Sequence, residues 1–196
     1  MTILHIDSSP RFGESVSRRL SQTIVDRLAG ANPGATVIRR DVVATPLPFA
    51  DHEMITAYYT PPDQLTDAQR AAVALSNTIT DEIVAADAVV VGVPMWNFGV
   101  PASLKAWFDL VARVGITFNY TADGPEGRLH GKKAYFAIAT GGTPIGSDWD
   151  HTTPHLKTFF AFMGITDSEV IAADLIQGPN ADQQLESAQQ AAAAVA

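Results

Sequence analysis

Ser8, Ser9, Ser15 and Ser17 bracket the turn Pro10-Arg-Phe-Gly13 just ahead of an amphipathic run. Hydroxyls at the start of a helix, added to the unpaired N–H groups of its first turn and the positive end of its dipole, can hold a phosphate without any basic side chain. Serine before a helix is also a common N-cap, so these hydroxyls have an ordinary structural reading too. The reciprocal capping box is missing, because Arg18 and Leu20, not Glu or Gln, stand three residues after Ser15 and Ser17. A second stretch, Pro94-Met-Trp-Asn-Phe-Gly-Val-Pro101, sets one side-chain amide among aromatics between two prolines. Asn97 and nearby backbone amides can hydrogen-bond the edge of a flat heteroaromatic ring while side chains cover its face. Taken singly, Trp96 and Phe98 read better as core aromatics. The third stretch, Thr140-Gly141-Gly142, lets the backbone come close to a ligand because glycine has no Cβ.

A regular alternation of elements must position these stretches. Thr2–Asp7 is a short run with β-branched residues that stops at Ser8-Ser9-Pro10, and from Ser15 the apolar Val16, Leu20, Ile24 and Leu28 recur every fourth residue until Gly30-Ala-Asn-Pro-Gly34. A strand and then an amphipathic helix are predicted. Thr36–Asp41 reads as a second strand and 67–86 as a helix. Ala88–Val93, apolar at every position, reads as a central parallel strand covered on both faces. Further helices are expected over about 102–112, 154–163 and 180–196, the last keeping Leu185, Ala188, Ala192 and Val195 on one face. Lys133–Ala139 and Glu169–Ala173 complete five strands, while Tyr58–Pro62 has no readable structure. The alternation argues for an α/β three-layer sandwich with a five-stranded parallel sheet and right-handed crossovers, in the flavodoxin-like strand order. In such a sheet ligands sit beyond the carboxyl ends of the strands at a switch point, where all three stretches fall.

Composition narrows the chemistry. At 196 residues the chain is expected to form one domain over 1–196. Its 13 basic and 21 acidic residues give a net charge of −8 without any block of like charge, which argues against a nucleic-acid or membrane partner. Cysteine is absent, which excludes disulfides, thiolate nucleophiles and cysteine-ligated clusters, so redox chemistry requires a bound cofactor. The five histidines form no HExxH pair and no metal site is expected. No G-x-G-x-x-G follows the first strand, so a Rossmann nicotinamide site is not supported. There is neither a signal-peptide pattern nor an apolar run near the roughly 20 residues of a membrane span, and a cytoplasmic setting is expected.

The three stretches, together with Leu104-Lys105, Val111-Ala-Arg113, Val114-Gly-Ile-Thr-Phe118, Tyr120-Thr121, Gly124-Pro125 and Gly131-Lys-Lys-Ala134, closely resemble the bacterial FMN-dependent NADH azoreductase family. The loop 94–101 also resembles that of the animal quinone reductases. The resemblance spans nearly the whole chain and implies a flavodoxin-like homodimer with FMN near the interface, using NADH, or NADPH, to reduce quinones and azo compounds by two electrons. It implies phosphate contacts at Ser9, Ser15, Val16 and Ser17, and ring contacts at Met95, Trp96, Asn97 and Phe98. Further flavin contacts are implied at Thr140, Gly141 and Gly142, with Tyr120 and Phe162 on the substrate side. No catalytic side chain is implied. Two positions depart from the pattern: Pro144 stands where some relatives carry histidine, and Trp96 where tyrosine is frequent.

Two other classes of function compete. A serine hydrolase would take Ser8 as nucleophile and Asp148-Trp-Asp-His151 as the source of acid and base, although Ile6 replaces the glycine usual before such an Asp-Ser pair. A flavodoxin-type electron carrier would share the fold, since fold alone does not settle function.

Overall fold

The computed structural model describes residues 1–196. Its elements in chain order are β1 (Thr2–Asp7), α1 (Val16–Ala31), β2 (Thr36–Asp41), α2 (His52–Tyr58), α3 (Asp67–Ala85), β3 (Ala88–Pro94), α4 (Ala102–Val111), β4 (Phe118–Thr121), β5 (Gly124–Gly127), β6 (Lys133–Ala139), α5 (Thr152–Phe162), β7 (Asp167–Ala173) and α6 (Ala181–Ala194). The main sheet runs β2-β1-β3-β6-β7 and all its neighbours are parallel. This is the doubly wound order with the switch point between β1 and β3, as expected from five strands alternating with helices.

The all-apolar pattern of β3 follows from its place at the centre. Val89, Val91 and Val93 pack with Ile79, Leu104, Trp107 and Phe160 of α3, α4 and α5, while Ala88 and Val90 meet Leu20, Ile24 and Ala192 of α1 and α6. Each face of a parallel sheet is thus buried, and alternation disappears from the sequence. The large apolar cluster lies on the α3–α4–α5 side.

Several boundaries differ from those read in the sequence, each for a local reason. Helix α5 begins at Thr152, ahead of Pro154, because the Asp150 carboxylate accepts the Thr152 and Thr153 N–H groups at 3.1 and 2.9 Å. Strand β7 begins at Asp167, two residues before Glu169, because the ladder with β6 pairs Lys133 with Asp167. The stretch unreadable around Tyr58 ends a short helix capped by Asp51, whose carboxylate accepts the Met54 N–H at 2.9 Å.

The antiparallel hairpin of β4 and β5 was not expected from the sequence. Its four-residue strands are too short for a period-two pattern, and β5 is Gly-Pro-Glu-Gly. Backbone contact holds it: a Cβ on Gly127 would lie 2.1 Å from the Gly164 nitrogen, and Leu129 N–H donates to the Met163 carbonyl at 2.8 Å. Gly127→Ala is therefore expected to destabilise the fold by about 1–3 kcal/mol through overpacking, read as a lower urea midpoint. An unchanged midpoint would show that this approach can relax without cost.

Candidate functional site

The first loop closes onto the N-terminus of α1. Ser15 is its N-cap, accepting the Arg18 N–H at 3.3 Å, and its hydroxyl lies 3.1 Å from that of Ser17. The capping reading of Ser15 is therefore correct, yet it leaves the backbone N–H groups of Val16 and Ser17 without a partner in the chain. The hydroxyls of Ser9, Ser15 and Ser17 belong to buried residues. A carboxylate or phosphate oxygen is the natural partner of such a set of donors.

Arg18 fixes this loop from beneath. Its Nε and one terminal nitrogen donate to the Ser9 carbonyl at 3.0 and 2.7 Å, and the other terminal nitrogen pairs with Asp41 at 2.7 Å and Asp7 at 3.5 Å. The Phe12 ring lies across the guanidinium at 4.8 Å. Asp7 in turn accepts the Ser21 hydroxyl at 3.0 Å, and Ser21 meets His5 Nε2 at 2.9 Å. Gly92 on β3 leaves room for this network, since a Cβ there would lie 2.7 Å from the Asp7 carboxylate and 2.9 Å from the Ser21 hydroxyl. Ser8 belongs to the same packing: its buried hydroxyl donates to the Gly92 carbonyl at 2.7 Å and makes no hydrogen bond to a histidine. The geometry gives the hydrolase reading no nucleophile–base pair.

The second loop folds into a tight two-residue turn. Trp96 and Gly99 exchange both backbone hydrogen bonds at 3.0 Å, with Asn97 and Phe98 at φ 48° and 69°. Two successive positive φ values define the hairpin turn of the primed type, in which Asn is at ease and a bulky Phe is strained by roughly 1–3 kcal/mol. The Phe98 carbonyl is held by the His151 N–H at 3.1 Å, and the N–H groups of Asn97 and Phe98 have no partner in the chain. Trp96 and Phe98 are substantially exposed, not core residues.

The three loops converge. Ser9, Ser15, Val16, Ser17, Met95, Trp96, Thr140 and Gly141 line one hollow of about 230 Å³. Met95, Asn97, Phe98, Thr140, Gly141 and Gly142 line a second of about 210 Å³ that shares three of these residues. Every residue singled out in the three stretches as binding a cofactor borders one of the two. Gln177, overlooked in the sequence, also borders the first; its side chain crosses Gly141, where a Cβ would lie 3.0 Å away. Its N–H donates to the Gly141 carbonyl at 3.0 Å. The available signal was position: Gln177 follows the last strand at the same carboxyl edge.

Tyr120 and Phe162 lie elsewhere. Tyr120 is exposed on β4 and meets Phe118 edge-on at 5.4 Å; Phe118 meets Phe162 at 4.5 Å. Phe162 ends α5, whereas the start of α5 touches Phe98, and an 11-residue helix is roughly 16 Å long. Within one chain these aromatics form their own cluster, away from the two hollows.

The donor set fits a phosphate joined to a flat ring: hydroxyls and unpaired N–H groups at one end, and a glycine-walled slot with free N–H donors at the other. The fold and this site define a nucleotide-binding protein of the doubly wound α/β class. The family described as having the flavodoxin-like fold matches residues 1–196, and the chain belongs to that family. It is 46% identical over 188 residues to an FMN-dependent NADH:quinone oxidoreductase of Erythrobacter litoralis, covering 95% of this chain and 94% of the relative. It is likewise 46% identical over 198 residues to FMN-dependent NADH:quinone oxidoreductase 1 of Hahella chejuensis, covering 98% and 97%. Among solved structures, azoreductase from Bacillus anthracis superposes with a TM-score of 0.91 at 26% identity, covering 98% of this chain and 97% of that one.

The clamp under the first loop is sensitive to acid. Burial opposes the charge of Asp41, but the Arg18 hydrogen bond, the N–H groups of Ala44 and Val43 and the Arg18 charge outweigh it, holding its pKa below the usual carboxylate value. A lowered folded-state pKa gives stability that is present above the unfolded value near pH 4 and lost as the pH falls through the folded one. Asp41→Asn is expected to lower the melting temperature at neutral pH, with the difference from wild type shrinking below about pH 4. A difference constant with pH in thermal melts would remove Asp41 from this role.

Proposed function

We infer that the whole chain, 1–196, is one FMN-binding domain acting as an NADH:quinone oxidoreductase and azoreductase. The observation that carries the reading is that three buried serine hydroxyls and two unpaired N–H groups share one hollow with the Trp96 turn and Gly141. When bound, FMN supplies the two-electron chemistry between NADH and the oxidant. Ser9, Ser15, Val16 and Ser17 hold the phosphate through hydroxyls and backbone N–H groups, with the Arg11 side chain on the rim of the same hollow. Met95, Trp96, Asn97, Phe98, Thr140, Gly141 and Gly142 form the slot for the ring. The free N–H groups of Asn97 and Phe98 border the slot and would stabilise negative charge on a ring edge held there, as pre-set dipoles do without reorganisation. NADH and the oxidant react in turn through the bound cofactor, so kinetics are of the ping-pong type. No side chain is assigned as acid, base or nucleophile, and the proton needed by the product comes from water. The enzyme works where NADH is supplied, in the cytoplasm.

The same reading includes a homodimer. Tyr120 and Phe162 are separated from the ring slot by the length of α5 in one chain, so they reach a substrate there only from a second copy. Light scattering is expected to give twice the 20.9 kDa chain mass; a monomer at working concentration would overturn the dimer.

Adding NADH anaerobically to the FMN-loaded protein is expected to bleach the flavin absorbance, and a quinone to restore it. Bound flavin that NADH leaves unbleached would make the protein a carrier, and failure to take up FMN would overturn the site. Ser17→Ala is expected to weaken FMN binding by about 1.5–3 kcal/mol, measured by titrating flavin-free protein. An unchanged affinity would remove Ser17 from the phosphate site.

A further inference from the structure

Trp149 is the largest side chain near the site that none of the three loops includes. It is 63% exposed, far more than core packing would leave it, and its ring lies 4.9 Å from that of Phe98 at an interplanar angle of 55°. Phe98 borders the ring slot, as does Thr143 at the start of the loop that carries Trp149.

This exposure is not a sign of a loose loop. Asp174 accepts the Ile145 N–H at 3.0 Å, and the Asp150 carboxylate accepts the Gly146 N–H at 2.9 Å and those of Thr152 and Thr153. Asp150 is itself buried, and its own N–H donates to the Ser147 carbonyl at 2.9 Å. One residue beyond, the His151 N–H holds the carbonyl of Phe98, so the loop is joined directly to the strained turn beside the aromatic pair. An indole carried on a hydrogen-bonded backbone beside a ring slot costs little loop ordering on binding, and a flat ligand placed against it gains both buried area and stacking.

We propose that Trp149, with Phe98, is a specificity platform that takes the outer ring of an extended, flat aromatic oxidant whose inner ring occupies the slot. It selects oxidants with two or more fused or joined rings over single-ring quinones. The proposal rests on the oxidoreductase reading and adds to it the shape of the preferred substrate. Trp149 touches the substrate's far ring and no reacting atom, so its effect falls on binding.

The test compares wild-type, Trp149→Ala and Trp149→Phe holoenzymes. In Trp149→Ala the ratio of KM for a naphthoquinone to KM for a benzoquinone is expected to rise roughly three- to tenfold, the equivalent of one aromatic contact. Trp149→Phe is expected to restore most of that ratio, because it keeps an aromatic face. Calorimetric titration with naphthalene-2-sulfonate, which is not reduced, is expected to show the same order of affinity: wild type, then Phe, then Ala. Equal KM ratios in wild type and Trp149→Ala would overturn the platform, as would equal sulfonate affinities. If wild type binds the sulfonate through Trp149 yet reduces no quinone with NADH, the oxidoreductase reading fails while the aromatic platform stands.

Discussion

The site depends on one clamp, the Arg18 guanidinium set between the Ser9 carbonyl and the carboxylates of Asp7 and Asp41. It joins the loop after β1, the first turn of α1 and the end of β2. Its side chain is only 15% exposed, unlike the surface pair Arg11–Glu14, so removing a partner would leave a partly buried charge uncompensated. Such a loss costs up to about 3–5 kcal/mol in a buried pair, against roughly 0–1 for an exposed one. Arg18 is thereby committed to the Ser9 carbonyl and two carboxylates, so an anion in the cradle meets hydroxyls and N–H groups, with Arg11 at the rim of the hollow. The absence of a Cβ at Gly92 is what lets Asp7 and Ser21 fit against β3 to complete the clamp.

A second constraint acts on the ring side. The turn at Asn97 and Phe98 holds two residues in the left-handed region, and such a conformation persists only when its surroundings over-determine it. Here the paired hydrogen bonds of Trp96 and Gly99 set the turn, and the N-terminus of α5 grips the Phe98 carbonyl. The result is a wall whose N–H donors are held in place by the backbone before any ligand arrives. Preorganisation of this kind suits a protein whose contribution is to place a cofactor and tune the charge at its edge.

The sheet was readable because its signals are local. The fourfold spacing of Val16, Leu20, Ile24 and Leu28 needs only a helix, and the unbroken Val89-Val90-Val91 run needs only two covered faces. The β4–β5 hairpin leaves no residue pattern, because backbone docking between Gly127 and Gly164 holds it. Gln177 is illegible for a related reason: nothing in its type marks it, and only the crossing of two strand-end loops brings it over Gly141.

By itself the sequence determined the class of the protein: strand and helix periods, a serine-bracketed helix start and a ring-sized aromatic loop, all of which depend on residues close together in the chain. Only the tertiary structure decided which hydroxyls are caps and which N–H groups stay free, that Arg18 supports the loop instead of facing the ligand, and that Trp149 stands against Phe98. It also decided that Tyr120 and Phe162 lie a helix length from the slot. These outcomes turn on distances between residues far apart in sequence, which the packing of helices on a twisted parallel sheet sets and no local pattern encodes.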